Sequence, residues 1–192
     1  MSLTWLSRFG AVCGVLLGLS LGVPGLIESF TGETTVTSFV VGLGAACGAP
    51  ALTAIYLRQS HAAGRFGAVA YAVNLIGLGL FAGVAFALNL VVFFLDEAVV
   101  TELLEGPTRF AVLGSVLVFV VGTVLFGISL IRAKVFPRLP SWGYPVTLTL
   151  LAVLASLPDT LFGSAVHVLA CASMVWLSVS TWTGTSPALA RT

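Results

Sequence analysis

The chain has 192 residues, of which 58% are hydrophobic and only 8% are charged, and its net charge is +1. Soluble domains carry about 25% charged residues, so this composition excludes a domain whose whole surface faces water. Three scattered cysteines without a Cys-x-x-Cys pair argue against a disulfide framework, a zinc site and a redox dithiol. The sequence lacks a Walker A motif, which excludes P-loop nucleotide hydrolysis. We therefore expect an integral membrane protein whose main partner is the lipid bilayer, with no cofactor and no nucleic acid.

Six apolar stretches are long enough to cross a hydrocarbon core of about 30 Å, which takes about 20 helical residues. Their apolar runs are continuous rather than alternating, which predicts helices and not barrel strands. No linker or change of composition divides residues 1–192, so a single all-α transmembrane domain is expected, a bundle of six helices. In chain order the predicted spans are about 9–27, 36–57, 66–95, 110–131, 141–157 and 161–182.

The first predicted span contains the stretch GAVCGVLLGLSLG, with glycine at every fourth position. Four-residue spacing rotates each glycine by about 40° on a straight helix, which predicts an oblique groove for close helix crossing. Shorter pairs occur in the second and third spans. The glycines expected at helix contacts are Gly10, Gly14, Gly18, Gly22, Gly44, Gly48, Gly79 and Gly83. The stretch also resembles a signal peptide, but it lacks a clear A-x-A cleavage site, which favours a retained helix.

The second and third spans carry residues that are typical of a polar cavity within a membrane. Pro50 removes one backbone hydrogen bond among small residues, and Asn74 and Asn89 are the strongest polar groups of the third span. Interhelical hydrogen bonds, worth on the order of 1 kcal/mol each, explain the two asparagines equally well. With His167 of the last span, these residues form the candidate polar cavity.

The longest hydrophilic segment, DEAVVTELLEGPTR, follows the third span. Its apolar residues recur at helical spacing, which predicts a short amphipathic helix over about 96–105 at the outer interface. A candidate outer acidic cluster comprises Glu28, Glu33, Asp96, Glu97 and Asp159. Either the segment forms a cation site or lid, or it is a solvated cap that enforces topology, and the cap is favoured.

The charges predict the orientation of the bundle. With a cytoplasmic N-terminus, seven of the eight basic residues fall in inner segments and all seven acids fall in outer loops. The positive-inside rule therefore predicts that both termini are cytoplasmic. No charged residue lies deep within a span, which disfavours ion-coupled transport.

His61 and His167 are predicted near opposite faces of the membrane and cannot share a metal or a haem. A pair formed by Ser164 and His167, with Asp159 nearby, is compatible with a hydrolase, but no oxyanion hole is evident. We expect His167 to bond a neighbouring helix instead.

A pattern found in a known group of membrane proteins is present in two stretches, LFGISLIRAKVFPRLPSWGYPV and SMVWLSVSTW. A basic residue, a Pro-Arg step and a Trp opening the next helix stand at Arg132, Pro137, Arg138 and Trp142. Together with RQSHAAGRFGAVAYAVNLIGLGLFAG, the pattern resembles small multi-pass membrane proteins of high-GC prokaryotes that are classed as domains of unknown function. The resemblance implies a prokaryotic plasma membrane and no known activity, and it carries no functional residues over.

No catalytic, cofactor-binding or metal-binding residue is assigned from the sequence. The favoured expectation is a binding, accessory or structural membrane component, acting as a homo-oligomer or with another membrane protein. The alternative is a carrier or channel subunit for a small uncharged solute, with Pro50, Asn74 and Asn89 near its path. A weaker alternative is an intramembrane enzyme acting on a lipid or isoprenoid, with Glu28 or Asp159 as a proton donor.

Overall fold

A computed structural model describes residues 3–154 and 161–184, and every element among them is helical. The predicted all-α class is therefore confirmed for the described residues. Asp159 of the candidate acidic cluster and Arg191 lie outside them. The elements in chain order are α1 (Leu3–Thr31), α2 (Thr35–Gly44), a 3₁₀ turn (Ala45–Cys47), α3 (Gly48–Leu90), a second 3₁₀ turn (Val92–Phe94), α4 (Glu97–Glu105), α5 (Thr108–Ala133), α6 (Arg138–Leu154) and α7 (Leu161–Thr183).

Four stretches of the described chain are helical, long and apolar enough to cross a membrane. They are Leu3–Thr31, Thr35–Phe94, Thr108–Ala133 and Leu161–Thr183. The second of these covers both the second and the third predicted span in 60 residues, and α6 has only 17 residues. The coarse expectation of a helical membrane protein agrees with these lengths.

The long stretch Thr35–Phe94 is folded into a hairpin rather than extended as one rod. Gly64 interrupts α3 with φ 57° and ψ −154°, backbone angles that are essentially restricted to glycine. The two arms of α3, 48–63 and 65–90, then run antiparallel. The Tyr56 and Tyr71 rings stack across them at 4.3 Å, and the Thr53 and Tyr71 hydroxyls are 3.0 Å apart.

Pro50 lies near the start of the first arm and explains the 3₁₀ turn that precedes it. Proline has no N–H, so no hydrogen bond can run from Pro50 to the carbonyl of Ala46. Ala45–Cys47 takes the tighter 3₁₀ form at this point, while Gly44 and Gly48 on either side keep right-handed helical angles. The chain therefore passes from α2 into α3 as one continuous helix.

Antiparallel neighbours build the remainder of the bundle. Gly18 of α1 lies beside Met174 and Val175 of α7, and Gly10 lies beside Pro50 and Ala54 of the first arm. The second arm packs on α5, and α6 contacts both α5 and α7. One core cluster joins side chains from α1, α3, α5, α6 and α7, among them Leu17, Ile55, Phe126, Leu148 and Leu177.

Large apolar side chains also cover the outside of the long helices. Ile76, Leu117 and Leu169, for example, are exposed on three different helices. Such a surface is unsuited to water and fits a surrounding of lipid.

Candidate functional site

A polar cluster lies in the middle of the bundle, at the meeting point of α3, α5 and α6. Asn74 Nδ2 donates to the Tyr144 hydroxyl at 2.6 Å, and the Thr123 hydroxyl donates to Asn74 Oδ1 at 3.2 Å. Asn74 and Thr123 are fully buried. Phe126 covers the Tyr144 ring edge-on at 5.7 Å. The three polar groups thus serve as partners for one another in a buried position beside the Phe126 ring.

Two glycines allow this cluster to form. A Cβ on Gly122 would lie 2.5 Å from the Asn74 Cα, and a Cβ on Gly77 would lie 2.6 Å from the Phe119 Cα. The second arm of α3 and α5 therefore approach backbone to backbone, as small residues permit in membrane bundles. This close approach brings the Asn74 side chain within reach of Thr123.

The other members of the candidate polar cavity lie elsewhere. Asn89 Nδ2 donates to the carbonyl of Ala85 at 2.9 Å, and His167 Nδ1 donates to the carbonyl of Gly163 at 2.9 Å. Both side chains therefore bond their own helix. His167 also lies against Gly25 of α1, and Pro50 lies against Gly10.

The described part of the chain includes two cavities, of about 210 and 160 Å³. Neither is lined by Pro50, Asn74, Asn89 or His167. The larger one lies between α3 and α5, and the smaller one is an apolar groove between α1 and α7.

The members of the candidate acidic cluster that the structure describes belong to different elements. Glu33 accepts a hydrogen bond from the Ser38 hydroxyl at 2.8 Å. Asp96 precedes α4, Glu97 lies in its first turn, and Glu28 lies near the end of α1. Among the described residues, no group of three or more His, Cys, Asp or Glu side chains could hold a metal ion.

The glycines expected at helix contacts fall into two groups. Six of them lie against another helix or, for Gly48, against the second arm of α3, and a Cβ added to Gly79 or Gly83 would meet no atom within 4 Å. The six are Gly10, Gly14, Gly18, Gly22, Gly44 and Gly48.

A second polar region, which the sequence did not predict, lies at the end of the bundle near Gly64. The Arg58 guanidinium lies 5.3 Å from the Phe136 ring and donates to the Thr181 carbonyl at 3.4 Å. Arg8 lies 5.4 Å from the neighbouring Trp182 ring. These contacts bring the ends of α1, α3 and α7 and the α5–α6 connection together.

Next to Arg58, the fully buried Gln59 reaches across to α5. Its Nε2 donates to Ser129 Oγ at 3.5 Å, and its Oε1 has no partner. Ser129 lines the larger cavity together with Ala62, Ala63, Phe66, Arg132 and Ala133. The Arg132 guanidinium lies 5.3 Å from the Phe66 ring at this cavity. Gln59 stands in the polar stretch RQSHAAGR, so its residue type did not distinguish it in the sequence from its solvent-facing neighbours.

Searches against family models, curated proteins and solved structures found no match to this chain.

Proposed function

We propose that this chain is a six-span protein of a prokaryotic plasma membrane, with both termini cytoplasmic, that acts as a binding or accessory component. The six spans are α1, α2 continued into residues 48–63, residues 65–90, α5, α6 and α7. The break at Gly64 supports counting two spans in the 60-residue helical stretch. At 17 residues, α6 is at the short end of the range for a transmembrane helix.

The charge distribution supports the orientation. Arg8, Arg58 and Arg132 lie at the end of the bundle where the arms of α3 meet at Gly64. Glu33 and Asp96 lie toward the opposite end, where Phe39 and Phe94 contact each other at 6.1 Å. Basic residues accumulate on the cytoplasmic side of membrane proteins, so the Gly64 end is assigned to the cytoplasm.

The hydrogen bonding of the buried Asn74 side chain is the observation that favours a binding role over a transport role. A carrier needs a water-accessible cavity near mid-membrane, lined by polar groups that are free to meet the solute. Asn74 is instead fully buried and bonded to Tyr144 and Thr123. Asn89 bonds its own helix, which leaves the carrier alternative without a polar path in the described interior.

The intramembrane-enzyme alternative receives less support. It requires two acids, or an acid and His167, to converge on one outer pocket. His167 bonds the backbone of its own helix, and Glu33 is bonded to Ser38. Neither described cavity is lined by an acidic residue or a histidine.

Cysteine labelling in intact cells tests both the topology and the closed interior. In a background with the three native cysteines replaced by alanine, we would introduce His61→Cys, Thr101→Cys or Asn74→Cys and add a membrane-impermeant maleimide. We expect Thr101→Cys to react from outside, His61→Cys to react only in inverted vesicles, and Asn74→Cys to react from neither side. The exposed Thr183→Cys serves as the matched control for the cytoplasmic side and should behave as His61→Cys does.

Labelling of positions 61 and 101 from the same side would contradict the proposed topology. Labelling of Asn74→Cys in a chain that retains its thermal midpoint would indicate a water-filled path and favour the carrier alternative.

A further inference from the structure

We propose that the cavity between α3 and α5 at the Gly64 end binds a phosphate group, presented by an anionic lipid headgroup or by a soluble phosphate. The cavity has a volume of about 210 Å³ and is lined by Ala62, Ala63, Phe66, Ser129, Arg132 and Ala133. The inference deepens the proposed function and rests on its orientation, because that orientation sets this cavity at the level of the cytoplasmic headgroups.

Arg132 supplies the positive charge of the site. Its guanidinium lies 5.3 Å from the Phe66 ring, a contact that holds the side chain at the cavity. A planar guanidinium can present two parallel N–H donors to two oxygens of one phosphate. The cavity adjoins the positive end of the second arm of α3 at Phe66, but also the negative ends of the first arm at Ala63 and of α5 at Ala133. The helix dipoles therefore add no net attraction for an anion, and Arg132 is its source.

Ser129 supplies a hydroxyl in the wall of the cavity. It is only 1% exposed, and its Oγ accepts a hydrogen bond from Gln59 Nε2. Most helical hydroxyls of the chain donate to a carbonyl three or four residues earlier, as Ser141 and Ser178 do. The Ser129 hydroxyl has no such bond among the described contacts. Its proton is therefore available to a ligand oxygen, while Gln59 fixes the position of Oγ.

The charges in the sequence around the cavity favour an anion over a cation as its ligand. No acidic residue occurs between Glu33 and Asp96, or between Glu105 and Asp159. The segments that form the cavity instead carry two further basic residues: Arg65 directly precedes Phe66, and Lys134 directly follows Ala133. No fixed negative charge on these segments competes for Arg132, so an anion is the ligand that the site attracts.

Thermal unfolding of the full chain in neutral detergent, titrated with three additives, tests the proposal. The additives are phosphatidylglycerol, a diacylglycerol with the same acyl chains, and inorganic phosphate. We expect phosphatidylglycerol to raise the midpoint with saturation and diacylglycerol to leave it unchanged, since a ligand stabilises the state that it binds. A rise with inorganic phosphate alone would identify a soluble phosphate as the source and would equally support the site. Equal effects of the lipid and the diacylglycerol would overturn the proposal.

Two pairs of variants locate the effect. Arg132→Gln removes the charge, and we expect about fivefold weaker affinity for phosphatidylglycerol, the usual contribution of one basic residue near an anionic surface. Arg138→Gln is the matched control, because Arg138 is exposed and does not line the cavity. Ala133→Leu extends a larger side chain into the cavity without changing charge, and Ala111→Leu controls for added bulk at an exposed position near the other end of α5.

If Arg138→Gln weakened the affinity for phosphatidylglycerol as much as Arg132→Gln does, the proposed site would be wrong. The lipid would then be held by a general attraction to the basic surface. Unchanged affinity in both Arg132→Gln and Ala133→Leu would overturn it as well. The labelling of positions 61 and 101 reports orientation independently of these titrations. An inverted topology and a cavity that does not bind phosphate therefore give different results.

Discussion

Two sets of glycines with the same four-residue spacing have opposite surroundings in this bundle. The α1 glycine row, Gly10, Gly14, Gly18 and Gly22, is buried against α3 and α7. The open glycine pair, Gly79 and Gly83 on the second arm of α3, is exposed and meets no neighbour. The spacing alone therefore indicates that a helix can be approached closely, and not that a neighbour is present.

The oblique path of the α1 glycine row explains why two neighbouring helices pack against it. Because the row is oblique, it begins on one neighbour and ends on another: Gly10 lies against Pro50, and Gly22 lies against Cys171 of α7. Gly14 lies at the transition, between Ala51 of α3 and Ser178 of α7. One row thus serves two helix contacts.

The direction in which the open glycine pair points explains why no neighbouring helix packs against it. The second arm faces α5 through Asn74 and Gly77. At about 100° per residue, Gly79 is turned about 200° and Gly83 about 240° from Gly77. Both glycines therefore point away from the bundle.

The largest difference between the two sets is expected from leucine substitutions. Gly14→Leu would force the side chain into Ser178 and Ala51 and destabilise the folded state by about 3 kcal/mol, the upper part of the usual range for overpacking. Gly83→Leu is the matched control and should not destabilise the folded state, because its side chain meets no neighbour and leucine favours helix over glycine. Reversible unfolding in mixed micelles, followed by tryptophan fluorescence, measures both. Equal losses for the two variants would refute the comparison.

Gly64 differs from both sets, because this glycine is required for its backbone conformation. Gly64 has no neighbour within 4 Å of an added Cβ, as in the open glycine pair, but its φ of 57° and ψ of −154° are unsuited to other residues. Gly64→Ala should therefore cost about 2 kcal/mol. The same unfolding measurement applies, and Gly79→Ala is its control. A Gly64→Ala variant as stable as this control would show that the hairpin does not depend on the glycine.

The helical class and the membrane-length apolar helices could be predicted from the sequence because they follow from composition and from continuous apolar runs. A turn between the spans 36–57 and 66–95 was also expected, but its confinement to Gly64 could not be predicted. The surrounding residues RQSHAAGR contain enough polar groups to suggest a loop, yet the first arm remains helical through residue 63 and only Gly64 breaks it. Alanine and glutamine favour helix as strongly as any residues, so polarity alone is a poor guide to where a helix ends.

The polar regions show the same limit at the level of side chains. Asn74 was recognisable as a polar group in an apolar helix, but its partners Tyr144 and Thr123 lie 70 and 49 residues further along the chain. The contact of Gln59 with Ser129 also spans 70 residues. Which helices adjoin is decided by packing between helices, and a single sequence does not state those pairings.

The smallest expected effect belongs to the open glycine pair itself. Glycine in a helix costs about 0.5–1 kcal/mol relative to alanine, because its backbone loses more freedom on folding. With no neighbour to displace, Gly79→Ala and Gly83→Ala should each stabilise the chain by up to that amount, and the two gains should add. The corresponding substitution Gly18→Ala in the α1 glycine row should destabilise the chain, since its Cβ would lie 3.0 Å from Val175 and 3.1 Å from the Cys171 carbonyl. The sign of the change in unfolding free energy is the measurement. A loss at Gly79 or Gly83 would mean that a neighbour packs on this face, and the contrast with the α1 glycine row would then be wrong.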